Sequence, residues 1–269
     1  MLGSAGFLAQ TRKLVDLDHQ LVIGVGTQKC GTTSIFSLLK RNGLRGRASS
    51  GKELHEFSAG RFTSRGRYLR SLGVRDDGFI YGEFTPNYAH HPTAIWNLSK
   101  IVPEAKLIVS IRDPIDRAFS AYQHGVGVGA IPSNMTFEQV IREARTGVNT
   151  ANSKGGWTAI ILKSGIYYPY LQRIFSHFDR ERVLVVDFSR IKDADSKADL
   201  ASELISFAGL VEGSGDLTFP ELNTASKHKA IVPTASTGVN PETRLELQEY
   251  FEHSKTQTQQ LIGLTLDWW

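Results

Sequence analysis

The sequence predicts a single α/β domain built on a central parallel sheet flanked by helices, and three observations support this. Short apolar runs rich in β-branched residues occur at Leu21 to Val25, Lys106 to Ile111 and Val183 to Asp187. Segments with apolar residues at helical spacing separate these runs, the pattern of strands buried on both faces by crossover helices. The first run also ends in a glycine-bearing turn directly ahead of its helix.

Taken in order, the first strand leads through residues 26–34 into a helix carrying Ile35, Leu38 and Leu39, with Gly43 placed to end it. The second strand passes through Arg112-Asp113-Pro114 into a helix with Ile115, Phe119 and Tyr122 on one side. Pro114 suits its first turn, where a missing N–H costs nothing. From Gly125 to Lys154 glycines and polar residues predict an irregular insertion around a helix near Phe137 to Ala144. An amphipathic stretch from Tyr167 to Phe178 precedes the third strand, and a helix over Leu200 to Ala208 follows it. Leu222 to Val239 lacks periodicity, and Asn240-Pro241-Glu242 then starts a helix running through Leu245, Tyr250, Phe251 and Leu261. The domain is expected over residues 20–269, with residues 1–19 as an N-terminal extension.

Composition narrows the function. With 269 residues, 41% of them hydrophobic, the chain can bury one large core. Its 31 basic against 27 acidic residues give a formal charge of +4, which suits an anionic cofactor or acceptor. There is no dense Lys/Arg run of the kind that nucleic acid attracts. Cys30 is the sole cysteine, which excludes an intrachain disulfide and a cysteine metal cluster and fits a reducing, cytoplasmic compartment. A luminal catalytic domain trimmed of a membrane anchor would read the same way. No stretch reaches the ~18 apolar residues of a membrane-spanning helix, so no stable membrane insertion is expected. His90 and His91 are adjacent and cannot easily converge on one ion, and no metal is expected. Composition leaves the oligomeric state open.

The chemistry concentrates in Gly26-Thr27-Gln28-Lys29-Cys30-Gly31-Thr32-Thr33-Ser34. Between a strand and its helix, backbone N–H groups and the helix dipole can receive phosphate oxygens. It is not a Walker A loop, which needs Lys directly after its final glycine; here Thr32 follows Gly31 and Lys29 precedes it. It is not a dinucleotide fingerprint either, because Gly24 and Gly26 would require glycine at position 29.

A lysine ahead of the glycine, then Thr-Thr-Ser, resembles the 5′-phosphosulfate loop of the sulfotransferases that use 3′-phosphoadenosine 5′-phosphosulfate (PAPS). Lys52-Glu53-Leu54-His55-Glu56-Phe57, Glu83-Phe84-Thr85-Pro86-Asn87-Tyr88, and Ile111-Arg112-Asp113-Pro114 with Ser120-Ala121-Tyr122 follow in the order of the heparan sulfate branch. Glu249-Tyr250-Phe251 and Leu264 to Trp268 are similar to that branch's last helix and terminus. The resemblance spans roughly residues 20 to 269. It implies a P-loop-like sulfotransferase fold, PAPS as donor, adenosine 3′,5′-bisphosphate (PAP) as product, and an acceptor hydroxyl or amine on a glycan or, alternatively, a small-molecule or polyketide-type alcohol.

The resemblance also implies roles. Lys29, Cys30, Gly31, Thr32, Thr33 and Ser34 hold the phosphosulfate, with Lys29 catalytic, and Arg112 and Ser120 grip the 3′-phosphate. Glu53 is the general base and His55 assists or orients the acceptor; read without the motif, Glu53 is an exposed loop acid and His55 a structural histidine. Tyr168, Lys227 and Lys229 are cofactor contacts, and Glu83 is an acceptor contact or, without the motif, a salt-bridge partner. Apart from the resemblance, His90 is expected in a loop near the acceptor cleft or in solvent. The chain departs from the branch at Phe84, where the branch carries a second catalytic lysine, and it lacks the branch's cysteine pair. A nucleotide-dependent phosphotransferase and an inactive nucleotide- or glycan-binding module are the alternatives from other classes.

Overall fold

A computed structural model describes residues 20–46, 51–58, 63–146, 157–210, 217–220 and 238–269. In chain order its elements begin β1 (Leu21–Gly26), α1 (Thr32–Arg41), α2 (Arg65–Leu72), β2 (Tyr81–Phe84), a 3₁₀ turn (Tyr88–His90), α3 (Ala94–Ile101) and β3 (Lys106–Ile111). They continue with α4 (Pro114–Gly127), α5 (Phe137–Thr146), α6 (Trp157–Lys163), α7 (Tyr168–Phe175), β4 (Val183–Asp187), α8 (Ser189–Lys192), α9 (Lys197–Ala208) and α10 (Pro241–Ile262). The chain divides into two compact units, Met1–Thr27, Gly31–Ser110 and Arg173–Pro220 in the first, and Gln28–Cys30, Ile111–Gln172 and Glu221–Trp269 in the second.

The first unit is built on the sheet, whose order is β2-β1-β3-β4. β1 pairs in parallel with both neighbours, Leu21 opposite Tyr81 and Val22 opposite Lys106. All of β1 and β2 is buried, which explains the continuous apolar run of β1. Because side chains alternate between faces, Val22, Ile108 and Phe84 enter one core with Ile35, Leu38 and Leu39 of α1 and Leu200, Leu204 and Ile205 of α9. Gly24 makes room for this packing: a Cβ there would come within 2.0 Å of the Phe84 ring. Behind α2, Phe57 packs on Tyr68 and Tyr88 with ring centroids 4.7 and 5.5 Å away.

The second unit has its own core, in which Ile115, Ala118 and Tyr122 of α4 meet Phe137 and Val140 of α5, Ile161 and Leu162 of α6, and Leu247 and Phe251 of α10. Asp113 caps α4 by accepting from the N–H groups of Ile115 (2.7 Å) and Asp116 (3.3 Å), with Pro114 in the first turn. Asn240 caps α10 in the same way, accepting from Glu242 N at 2.9 Å.

The three expected strands stand where the sequence put them, with β1 one residue longer. The four-residue β2 is an addition, as are α2, α3, α6 and α8. No described helix is long and apolar enough to cross a membrane.

Candidate active site

Since β1 lies between β2 and β3, the chain leaves its carboxyl end at the point where the strand order reverses, the usual place for a ligand crevice in an open α/β sheet. Sequence dictates how the loop leaves the strand. Thr27 donates twice to the Ser110 carbonyl, from N at 2.8 Å and from Oγ1 at 2.9 Å, which ties the start of the loop to β3. Gly31 then turns the chain with φ 78°, and a Cβ there would meet the Phe188 ring at 2.6 Å. Among the described residues no side chain caps α1, and its first turn has no acid. The positive end of this helix is therefore left for an external anion. Thr32 is buried, and Ser34 is turned away from the loop, donating to the Pro220 carbonyl at 3.1 Å. Lys29 holds φ 70°, a left-handed conformation that costs a non-glycine residue free energy.

Beside the start of α1 lies a cluster from the 51–58 segment. Lys52 Nζ donates to Thr32 Oγ1 and Thr33 Oγ1, each at 3.1 Å, and stands 3.2 Å from Glu53 Oε1. Burial pushes the Lys52 pKa down, and the Glu53 and Glu83 charges oppose that shift. The other oxygen of Glu53, Oε2, is 3.1 Å from His55 Nε2. Glu53 is thus held between a cation and an imidazole and is 36% exposed, so a solvent-borne hydroxyl can reach it. Lys52 is a functional candidate that no sequence pattern singles out; its one signal there is its place directly before Glu53.

A buried network fixes this cluster from behind. Thr85 Oγ1 accepts from the backbone N–H groups of Leu54 (3.1 Å) and His55 (3.3 Å) and donates to Glu83 Oε2 at 2.5 Å. Tyr68 donates to Glu83 Oε1 at 3.5 Å. Glu83, expected to border the acceptor, is 2% exposed and lies behind the turn that bears Glu53 and His55. Burial raises its pKa from 4.5 to about 7 against the hydrogen bonds of Thr85 and the Leu54 N–H. Between those two pH values the folded chain holds a proton that the unfolded chain has lost. The stability due to Glu83 is therefore full below about pH 4.5 and is lost as pH rises through 7, by up to about 3 kcal/mol. Urea denaturation across this range should show a falling stability that Glu83→Gln flattens; an unchanged slope in the variant would locate the proton elsewhere.

In the second unit, Arg112 follows β3. Its Nη1 donates to the Lys29 carbonyl at 3.4 Å and its Nη2 stands 3.9 Å from Asp116 Oδ2. The carboxylates of Asp113 and Asp116 are engaged by Arg244, at 3.5 and 2.7 Å. Ser120 lies on α4 one turn beyond Asp116, on the same side of the helix. The residue that organises this region is Tyr167, buried in full. Its hydroxyl donates to the Arg112 carbonyl (2.7 Å), accepts from Arg112 N (3.3 Å) and lies 3.9 Å from Cys30 Sγ. Burial drives its pKa well up, which keeps the hydroxyl proton in place. The adjacent Tyr168, expected as a cofactor contact, sits at the start of α7 with its hydroxyl accepting from Gln172 Nε2 at 3.2 Å. Cys30 is buried, so any contact from it to a ligand comes from its backbone.

His90 lies partly buried in the 3₁₀ turn. Lys227 and Lys229 lie outside the described residues. Among the described residues no group of three or more His, Cys, Asp or Glu side chains could hold a metal ion.

This geometry can be set beside known proteins. The family described as sulfotransferase domain matches residues 18–217. Human bifunctional heparan sulfate N-deacetylase/N-sulfotransferase 3 is 25% identical over 76% of this chain and 24% of its own length. Human heparan sulfate glucosamine 3-O-sulfotransferase 3B1 is 32% identical over 65% of this chain and 42% of its own length. The chain thus spans less than half of either relative. Among solved structures, a sulfotransferase from Alicyclobacillus acidocaldarius superposes with a TM-score of 0.69 at 24% identity, covering 94% of this chain and 99% of that one. At that identity the likeness concerns the fold.

Proposed function

Because the chain belongs to the sulfotransferase domain family, we propose that it moves a sulfuryl group from PAPS to an acceptor hydroxyl or amine, with a glycan hydroxyl as the first choice. The observation that carries this reading is the uncapped, acid-free start of α1 with Lys52, Thr32, Thr33 and Glu53 gathered beside it. N–H groups, hydroxyls and an ammonium form a donor set that fits a phosphosulfate anion, and a carboxylate stands next to it to take a proton. When bound, PAPS supplies an activated sulfuryl group whose leaving group is the phosphate of PAP.

The chain's own residues do the rest. Glu53 takes the acceptor's proton as the acceptor atom bonds to sulfur, and His55 holds the second Glu53 oxygen. Lys29, Thr32, Thr33 and the N–H groups from Gly31 onward stabilise the charge that grows on the departing phosphate, the electrostatic contribution expected to dominate. Arg112 and Ser120 hold the 3′-phosphate, for which a planar guanidinium is suited. The glycan acceptor is supported by the names of the heparan sulfate relatives. The lone Cys30 supports a reducing, cytoplasmic setting.

Calorimetry with PAP and with ATP, followed by transfer of labelled sulfate from PAPS to a panel of desulfated glycans and simple alcohols, tests the proposal. PAP should bind at least tenfold more tightly than ATP, and label should reach a glycan. Preference for ATP would favour a phosphotransferase; PAP binding with no transfer to any acceptor would favour a binding module.

A further inference from the structure

Lys52 has three N–H donors, and three oxygens surround its ammonium: Thr32 Oγ1, Thr33 Oγ1 and Glu53 Oε1. A threonine hydroxyl that accepts from a lysine has its own proton free to donate elsewhere. Lys52 therefore sets both threonines as donors at the uncapped end of α1 and adds a positive charge beside them. With its side chain 15% exposed, that charge is screened less than a surface lysine's. Position 84 cannot provide this charge. Phe84 is buried, packs its ring 5.4 Å from that of Phe36, and donates its backbone N–H to the Lys52 carbonyl at 2.8 Å.

We infer that Lys52 is a second cation of the transfer site, a positioning residue that sets Thr32 and Thr33 as donors to the 5′-phosphate side of the donor and places its charge beside them, where the strand itself contributes only Phe84. The inference rests on the sulfuryl-transfer reading above. In the transfer the acceptor O–H bond gives its proton to Glu53, the new O–S bond forms, and the bond from sulfur to the phosphate oxygen breaks with its electron pair on phosphate. Lys52 stabilises that oxygen through the two threonines, without giving up a proton. It also stands against Glu53, so donor and base share one cation.

The test compares two ligands on Lys52→Met, which keeps the apolar stem, and Lys52→Arg, which keeps the charge. PAP carries the 5′-phosphate and adenosine 3′-monophosphate does not. Lys52→Met should weaken PAP about 10- to 100-fold, because the threonine hydroxyls that would donate to the charged phosphate lose the cation that sets them, and leave adenosine 3′-monophosphate within twofold. Lys52→Arg should recover part of the PAP affinity, and single-turnover transfer should fall in Lys52→Met even when PAPS saturates. A misfolded variant would lose both ligands alike, so the ratio between them is read from Lys52→Arg as well. The proposal is overturned if PAP affinity is unchanged and the transfer defect vanishes in a Glu53→Gln background, for Lys52 would then act only by holding Glu53. Wild-type protein that fails to bind PAP would overturn the sulfuryl-transfer reading itself, a separate outcome.

Discussion

Lys29→Ala is expected to lower kcat by roughly 10²- to 10³-fold, the usual cost of removing one preset donor to developing charge, while changing stability little. The two effects separate because of the backbone. Lys29 sits at φ 70°, where only glycine is at ease, so the chain holds this residue in place at a cost to its folded state. Lys29→Gly removes the same ammonium and relaxes the same strain. It should be as inactive as the alanine variant yet unfold later, by about 1 kcal/mol. Thermal unfolding and saturating-donor kinetics on the three proteins check both halves. Retention of kcat within threefold in Lys29→Ala would remove Lys29 from the reaction, and a glycine variant less stable than the alanine one would show that the loop does not strain this residue.

Glu53→Gln should cost about 10²- to 10⁴-fold in kcat, the range for losing a positioned general base, with PAP affinity unchanged in calorimetry. Glutamine keeps the shape and the hydrogen bond toward Lys52, so the loss reports proton transfer. His55→Ala gives the comparison. If His55 orients Glu53, its removal lowers kcat about tenfold and leaves the acid limb of the pH–rate profile in place. Equal losses in both variants, with that limb abolished in His55→Ala, would make the imidazole the base.

The strands legible in the sequence were those with a run of consecutive apolar residues, most of them buried: Leu21 to Val25 in β1, Leu107 to Val109 in β3 and Val183 to Val186 in β4. β2 escaped because it is short and contains Gly82 and Glu83, residues poor in strands. Glu83 is tolerated there because Thr85, Tyr68 and the Leu54 N–H satisfy it; Thr85 is two residues on, but Tyr68 and Leu54 are distant in the chain. The turn between β1 and α1 could be read because its geometry is local: a strand, a glycine, a helix start. Tyr167 could not be told from Tyr168, since both open the same amphipathic stretch and only the folded chain shows which one meets Arg112 and Cys30. Lys52 was hidden for a similar reason: its partners Thr32 and Thr33 are 20 and 19 residues away.

The pairing of β1 with β2 bears on how such a site can diversify. The loop that would receive the donor springs from β1, while the turn carrying Glu53 is hung from Thr85 at the end of β2, its hydrogen-bonded neighbour. Adjacent strands stand ~4.8 Å apart, a spacing set by backbone hydrogen bonds and indifferent to side chains. On the proposed mechanism, the sheet would act as a ruler between the donor loop and Glu53. Substitutions at the periphery would then alter which acceptor is admitted and leave that spacing alone.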